Sequence, residues 1–229
     1  MAYILHIDTS AQHCHVAVSS SGNLVSEKIS VDTNNHATIL NHMMEEVLVE
    51  AGHLSLQDLD AVDVMAGPGS YTGLRIGLAT AKALCYALDK PLLLSNKLTL
   101  LAFQDKEYIA TANAAYIGAI LPARKGEYFV SVYHADQTPA IASGHMDLPV
   151  MLDAIDSLQG KVLLSGKIAL EDSSSFSQRQ HVTIRLQDHI LTSFWCCYSY
   201  SLFSEKKFTK IFDASPLYLK NVYIHNSSK

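Results

Sequence analysis

The side chains with the clearest chemical potential in this chain follow two predicted strands. Asp8 ends the apolar run that starts at Ala2, and a carboxylate at the end of a buried strand often faces a metal ion or a phosphate. The glycine-rich turn at 67–73 ends a second apolar run and precedes about four turns of uncharged helix. Backbone amides in such a turn attract anions. These features raise a phosphate-binding hypothesis, to which a turn-capping role of Asp8 is the alternative.

The spacing of the glycine-rich turn limits that hypothesis. The turn matches neither the dinucleotide-binding fingerprint nor a P-loop, because no Lys-Ser or Lys-Thr pair follows its last glycine. Its glycines permit close approach of the backbone to a neighbour, and Ser70 or Thr72 can cap the next helix. The alternative interpretation is a packing device that holds this helix tightly against its strand.

Other catalytic and metal-binding patterns are weak. His36 and His42 are six residues apart, which places them on different faces of a helix. His13 and His15 share one face of a predicted strand without a third ligand in sequence. The chain contains neither an HExxH motif nor a G-x-S-x-G nucleophile elbow. The sequence therefore favours a scaffold over a catalyst, and we predict no metal site and no catalytic residue.

Composition bounds the class of protein. The chain has 229 residues, 48% of them hydrophobic and 17% charged, so it can bury a sizeable core. Its net charge of −5 argues against unaided binding to a phosphate backbone, and a local lysine cluster at 206–210 is typical of a solvated face. Four cysteines without CxxC spacing, no signal-like N-terminus and no apolar run of about 18 residues predict a cytoplasmic protein without membrane spans.

Apolar periodicity predicts two similar halves. The first begins with a three-strand meander at 2–31, continues with a helix whose apolar positions span 39–48, and adds the strand at 61–66 before the glycine-rich turn. The second half also begins with strands followed by a helix, and it ends in an aromatic-rich helix starting at His189. The order of elements indicates a duplication whose halves meet near Asp105.

Two helices of the first half carry unusual surfaces. Small residues recur every four positions after the glycine-rich turn, which would let another helix come very close. The apolar positions of the preceding helix cover more than one face, and such a surface stays in water unless a partner covers it. The predicted partner interface comprises His36, Ile39, Leu40, Met43, Val47, Gly73, Gly77, Ala81 and Cys85. In the alternative, the helices pack wholly within their own domain and Gly77 faces the sheet.

The segment 67–77, GPGSYTGLRIG, closely resembles the signature of the bacterial TsaB (YeaZ) family. Further similarity lies in the opening ILHIDTS at 4–10, in the helix that begins at His36, in ARKGE at 123–127 and in PLYLK at 216–220. The resemblance extends over nearly the whole chain and is stronger in the first half.

This resemblance implies an α/β fold of the actin-like, Hsp70-like (ASKHA, ribonuclease H-like) class. Such a fold has two related lobes, each with a mixed sheet and packed helices, which agrees with the doubled pattern of elements. We expect an N-terminal, partner-docking lobe at 1–105 and a C-terminal lobe at 106–229.

The resemblance also implies a role in forming N6-threonylcarbamoyladenosine at position 37 of tRNAs that read codons beginning with A. In that system the larger homologue TsaD carries the metal and transfers the threonylcarbamoyl group, and the ATPase TsaE joins the complex. A TsaB-like chain is expected to be a non-catalytic activator that binds TsaD through helices of its N-terminal lobe. It would reach tRNA only through the complex and form a homodimer when alone.

The sequence departs from its catalytic relatives at several points. The residue four positions after His36 is Leu40, so the pair of metal-binding histidines of TsaD is absent. Pro122 stands where family members usually have Asp. The two loops that would hold phosphate, at 8–10 and 165–167, look poorly suited to ATP, so no cofactor is predicted. Only vestigial nucleotide contact is expected, at Asp8, Thr9 and Ser10.

Two other functions remain as alternatives. An autonomous enzyme, either a nucleotide-dependent transferase or a glycoprotease-like (M22) peptidase, would need Asp8, the glycine-rich turn and a metal to converge. A weaker hypothesis is direct contact with tRNA through Lys206, Lys207 and Lys210.

Overall fold

The computed structural model describes residues 1–30 and 35–220. The end of the meander predicted at 2–31 and the last nine residues of the predicted C-terminal lobe lie outside these residues. The described residues form two compact units, of which the first comprises Met1–Gln104 and His189–Leu217 and the second comprises Asp105–Asp188 and 218–220. The predicted boundary near Asp105 agrees with this division. The predicted extent of the second lobe, 106–229, is wrong, because the last helix packs on the first unit.

The first unit is built on a mixed five-stranded sheet. The antiparallel meander β3-β2-β1 is extended by β4 and β5, which run parallel to β1. The interiors of β1 and β4 are buried on both faces, which explains their nearly continuous apolar sequences. The strands are β1 (Tyr3–Asp8), β2 (His15–Ser20), β3 (Asn23–Ile29), β4 (Ala61–Gly67) and β5 (Leu92–Asn96).

The second unit repeats this topology. Its sheet has the order β10-β9-β6-β7-β8, with an antiparallel meander followed by two strands parallel to the first strand. Its strands are β6 (Tyr116–Pro122), β7 (Glu127–His134), β8 (Pro139–Asp147), β9 (Val162–Gly166) and β10 (Val182–Leu186). The predicted fold class, an α/β protein of two related halves with mixed sheets, is confirmed.

Helices cover both faces of the first sheet. The apolar sides of α1 and α2 share one core with alternate residues of β1, including Leu5 and Ile7, whereas α3 and α7 cover the opposite face around Ile4 and Met65. The helices are α1 (His36–Glu50), α2 (Tyr71–Leu88), α3 (Lys97–Gln104), α4 (Tyr108–Ala112), α5 (Leu148–Asp156), α6 (Ser173–Ser177) and α7 (Thr192–Ser204). Within 1–30 and 35–220, no helix combines the length and apolar character needed to cross a membrane.

Candidate functional site

The loop after β1 folds back on its own carboxylate. The backbone N–H of Ser10 donates to Asp8 Oδ1 at 2.7 Å, and the hydroxyl of Thr9 donates to the carbonyl of Gly73 at 2.6 Å. From the first residue of α3, Lys97 Nζ donates to Ser10 Oγ at 3.2 Å and lies 3.7 Å from Asp8 Oδ2. The structure thus brings the three candidate nucleotide-contacting residues together, and their polar groups bind within the chain.

The electrostatics of Asp8 follow from this arrangement. Burial raises the pKa of the Asp8 carboxyl, but the positive charge of Lys97 and the hydrogen bonds from Ser10 outweigh burial, so the pKa lies below its ordinary value. The carboxylate is therefore ionised near neutral pH. The chain itself supplies its counter-ion.

The glycine-rich turn sets α2 against this loop. A Cβ atom on Gly69 would lie well inside 3.0 Å of Ser10 backbone atoms, and one on Gly73 would collide with the carbonyl of Thr9. The hydroxyl of Ser70 accepts the N–H of Gly73 at 3.2 Å and so caps α2. The absence of side chains at these glycines therefore lets the start of α2 touch the end of β1. This geometry agrees with a packing device.

The small-residue row of α2 faces the interior of the first unit. A Cβ on Gly77 would collide with the hydroxyl of Thr9, and the side chains of Ala81 and Cys85 have no exposed surface. The prediction that this row receives a partner helix is wrong, because the sheet already fills the space in front of it.

The predicted interface on α1 is corrected in the same way. Leu40, Met43 and Val47 are buried in the core that α1 shares with α2 and the sheet. Only His36 and Ile39 of that prediction are partly exposed. The wide apolar face of α1 thus contacts two neighbours inside its own unit, a sheet and a helix.

The outward surfaces of α1 and α2 consist of other residues. Three alanines spaced four apart, Ala79, Ala83 and Ala87, are exposed along α2. Two tyrosines flank this row, Tyr71 at 38% exposure and Tyr86 at 73%. A second small-residue row therefore exists on α2, and this row is directed to solvent.

The N-terminal ends of α1 and α2 border a polar cavity of about 510 Å³, a size that suits a small molecule. No acid, lysine or arginine is found among the described residues that line it. The lining includes Ser10, Gln12, Asn35, His36, Thr38, Ser70 and Thr72.

β9 has the same place in the second sheet as β4 has in the first, and the loop after β9 therefore corresponds to the glycine-rich turn. Gly166 has a φ of 140°, and a Cβ there would collide with the carbonyl of Ile120. The hydroxyl of Ser165 donates to Asp105 Oδ2 at 2.5 Å, and Arg185 Nε lies 3.1 Å from the same oxygen. The polar groups at this loop therefore also bind partners within their own unit.

Sequence reasoning missed a buried polar cluster on the α7 side of the first sheet. Asp63, in the middle of β4, has no exposed surface. Its Oδ2 accepts hydrogen bonds from Ser95 Oγ and from Trp195 Nε1, each at 2.7 Å, and from the hydroxyl of Ser199. A signal was present, because an acidic residue inside an apolar strand must find buried partners.

His6 lies beside Asp63 in the register of β1 and β4. Its Nε2 hydrogen-bonds with Ser19 Oγ at 2.8 Å, and its Nδ1 lies 3.9 Å from Asp63 Oδ2. Burial lowers the pKa of His6 to about 3, with a further contribution from the charge of His15, and burial raises the pKa of Asp63 to about 6. The pair is therefore kept at low total charge by its apolar surroundings. Within 1–30 and 35–220, no three His, Cys, Asp or Glu residues are grouped so as to hold a metal ion.

The duplicated sheets and the two internally bonded loops define the chain as an actin-like protein of two related units. A crystal structure described as an uncharacterized protein with similarity to peptidase YEAZ, from Pseudomonas aeruginosa, superposes with a TM-score of 0.72 at 21% identity, covering 96% of this chain and 100% of that one. Residues 23–171 match the family model described as TsaD: tRNA N6-adenosine threonylcarbamoyltransferase.

Curated relatives narrow this class. The tRNA threonylcarbamoyladenosine biosynthesis protein TsaB of Buchnera aphidicola is 30% identical over 190 residues, which cover 77% of this chain and 86% of the relative. The protein of the same name from Bacillus subtilis is 32% identical over 130 residues, covering 57% of this chain and 54% of the relative. The chain therefore belongs to the TsaB (YeaZ) family, although its match spans only about half the length of the Bacillus protein.

Proposed function

We propose that this chain is a non-catalytic subunit that activates a TsaD-like transferase in the formation of N6-threonylcarbamoyladenosine in tRNA. The observation that carries the proposal is the pair α1 and α2, which pack side by side on one face of the first sheet and turn a small-residue row to solvent. The transferase-type family model covers both helices. A homologous transferase would therefore offer a similar helix pair to this one.

The outward row of alanines provides the steric basis for docking. Helices approach to about 8 Å only where the side chains between them are small. Ala79, Ala83 and Ala87 present such a path along α2, and Tyr86 beside them is 73% exposed. An aromatic ring next to a shallow groove is a typical anchor of a protein interface.

Charge favours a partner built like this chain. The outward side of α1 carries the exposed Glu45, whereas that of α2 carries Arg75, whose guanidinium lies 4.1 Å from the Tyr71 ring centroid. When two related helix pairs meet about a two-fold axis, α1 of each faces α2 of the other, so acid meets base. The same complementarity would allow a homodimer when the transferase is absent.

The strand-end loops, which are the loop after β1 and the glycine-rich turn after β4, are filled by contacts within the chain, and this supports a non-catalytic role. Lys97 balances the charge of Asp8, and the glycines of the turn are closed against the backbone of Thr9 and Ser10. A phosphate entering this loop would have to displace contacts that the chain already makes. We infer that the transferase carries the chemistry, a TsaE-like ATPase joins the assembly, and the chain works in the cytoplasm, where its free cysteines would stay reduced.

Co-purification with a TsaD-like transferase tests the proposal. We expect Ala83→Arg to remove the transferase from the purified complex, because a long charged side chain would separate the two helix pairs. Ala110→Arg, at an exposed alanine of α4, is the matched control and should co-purify at the wild-type yield. A wild-type yield with Ala83→Arg would contradict docking through this surface.

A calorimetric titration of the lone chain with ATP and magnesium tests the non-catalytic part. We expect no tight binding and no turnover. Turnover by the lone chain would support an autonomous transferase and would contradict the scaffold role.

A further inference from the structure

We propose that the turn at 206–212, called here the lysine–phenylalanine turn, contacts the RNA substrate of the assembled complex, with lysines on phosphates and Phe212 stacked on an unpaired base. This inference rests on the proposed function, since the RNA is the tRNA bound by the transferase complex. It adds a site to this chain, on the first unit and after α7.

Backbone hydrogen bonds at its start and its middle hold the lysine–phenylalanine turn in place. After α7, the backbone N–H of Lys206 donates to Phe203 O at 3.0 Å, and that of Lys207 donates to Leu202 O at 2.9 Å. The N–H of Thr209 donates to Leu92 O at 2.9 Å, which attaches the turn to the edge of the first sheet. The side chains of the turn are therefore exposed although its backbone is held by hydrogen bonds.

Phe212 is an unusual residue for such a position. Its side chain is 85% exposed, although the backbone around it is fixed. Besides the contacts above, the N–H groups of Asp213 and Ala214 both donate to Lys210 O, which closes a turn around Phe212. Phe208 is 41% exposed, with its ring centroid 5.8 Å from that of Phe203. Exposed rings on a rigid turn provide faces on which unpaired bases stack, and stacking tolerates any base.

Two lysines beside these rings are available for phosphates. Lys207 forms an ion pair with Glu205 at 2.6 Å. Lys206 and Lys210 are exposed, and neither has an ion-pair partner within the described ranges 1–30 and 35–220. Lys206 also has a φ of 55°, which turns the chain sharply between α7 and the two rings. Alternating cations and aromatic rings match the alternating phosphates and bases of a single strand.

The charge of the whole chain explains why this contact would matter only in a complex. A net charge of −5 and two unpaired lysines cannot hold RNA unaided. When the transferase holds the tRNA, the same two lysines and one ring act at high effective concentration. The turn would therefore raise affinity and fix the position of the RNA while the lone chain binds RNA weakly.

The first test reverses the charge of Lys206 and Lys210 in the reconstituted complex with a TsaD-like transferase. The probe is an unmodified transcript of a tRNA that reads codons beginning with A. We expect Lys206→Glu/Lys210→Glu to weaken tRNA binding at least 10-fold and to lower the slope of log affinity against log salt by about 1.4, for two phosphate contacts. Lys106→Glu/Lys161→Glu, two exposed lysines of the second unit, changes net charge equally and should leave both quantities unchanged.

The second test separates stacking from apolar burial at Phe212. Phe212→Leu keeps an apolar side chain but removes the ring, so we expect tRNA binding by the complex to weaken about 5- to 100-fold. Phe212→Trp should bind as the wild type does. Equal binding by the Leu and wild-type forms would overturn the proposal, because it would mark Phe212 as an apolar contact for a protein or a membrane.

Co-purification with the transferase, measured on the same variants, distinguishes this inference from the proposed function. We expect all of these variants to co-purify at the wild-type yield. Loss of the transferase from the Phe212 or lysine variants would overturn the RNA assignment and make the turn a protein contact. Failure of the wild-type chain to bind the transferase would instead overturn the proposed function.

Discussion

The two sheets of this protein have the same strand order but very different helices. In the first unit, β4 leads into α2, which has 18 residues, and β3 leads into α1, which has 15. In the second unit, the corresponding helix after β8 is α5, with nine residues, and β9 is followed only by a 3₁₀ turn and the five-residue α6. One sheet topology thus carries a long, paired helical surface in one unit and short covers in the other.

The proposed docking surface uses this difference between the two units. A short helix such as α6 only covers its sheet, whereas α1 and α2 are long enough to present a second, outward surface. The strand-end loops of both units are closed in similar ways, by glycines against backbone and by carboxylates bonded within the chain. The two units therefore differ in the length of the helices on their sheets and not in the closure of these loops.

The largest effect is expected at the contact that seats α2. Gly73→Val would place side-chain atoms inside the carbonyl of Thr9, and the neighbouring backbone cannot move without opening β1. We expect the first unit to unfold. Hydrogen exchange, measured peptide by peptide, should show lost protection in β1 and α2.

Gly144→Ala, in β8 of the second unit, is the control for this prediction. A Cβ at Gly144 meets nothing closer than 3.6 Å, so the variant should keep its protection throughout. If the first unit of Gly73→Val stayed folded and protected from exchange, α2 would be able to move away from the sheet. The inward side of α2 would then be no more constrained than its solvent-facing side.

The buried carboxylate of β4 should give the next largest effect. Asp63→Ala removes the acceptor shared by Ser95, Trp195 and Ser199. Trp195 Nε1 still reaches Ser95 Oγ at 3.0 Å and the Ser199 hydroxyl still reaches Trp195 O at 2.8 Å, so the loss should lower the free energy of unfolding by about 2 kcal/mol. Trp195 is the single tryptophan of the chain, so its fluorescence reports this site directly. The expected observation is an earlier denaturant midpoint with an altered emission maximum. An unchanged midpoint would mean that the cluster does not anchor α7.

A smaller, pH-dependent effect is expected at His6 and Asp63. The pKa of Asp63 is raised to about 6, so the folded state binds more protons than the unfolded state, and stability rises as pH falls from 6 to 4. The pKa of His6 is lowered to about 3, so the folded state binds fewer protons, and stability falls as pH drops below about 6.5. The two slopes oppose each other between pH 4 and 6.

Single variants should separate these slopes. His6→Gln should gain stability on acidification from pH 6 to 4, and Asp63→Asn should lose it, each by up to about 1.4 kcal/mol per pH unit relative to the wild type. Urea titrations at several pH values measure this. Parallel pH profiles of the two variants would contradict the opposite pKa shifts of these residues.

The smallest effect on stability is expected on the outer face of α2. Ala83→Arg should change the free energy of unfolding by less than about 0.5 kcal/mol, because the site is exposed and arginine is a good helix former. Thermal melts of this variant and of Ala110→Arg should coincide with the wild type. A large loss of stability would place Ala83 inside the core. Loss of the transferase from Ala83→Arg could then result from unfolding and not from a blocked docking surface.

Much of the fold was predictable from sequence because burial imposes periodicity. The short apolar run around Ile4–Ile7, the helical spacing of Leu40, Met43 and Val47, and the glycine-rich turn all indicated the correct elements. The direction of a helix face was not predictable. Residues spaced by four share a face whether it points to a sheet or to a partner, and α2 carries a small-residue row on each side.

The site was less predictable than the fold. Asp8, Thr9 and Ser10 were expected together because they are consecutive, but Lys97 contacts them from a distant part of the sequence. The hydrogen bonds between Asp63 and α7 likewise join residues more than a hundred positions apart. Such contacts depend on which unit the last helix joins, and the sequence pattern placed that helix in the wrong one.

The discontinuity of the first unit has a consequence during synthesis. The residues up to Gln104 leave the ribosome first, yet the helix that satisfies Asp63 is made only after the whole of Asp105–Asp188. At usual elongation rates this interval lasts on the order of ten seconds. Throughout it the face of the nascent sheet with Ile4 and Met65 has α3 but lacks α7. The half of the molecule that is translated first is thus the half completed last, and the nascent chain has to be kept from aggregating until α7 arrives.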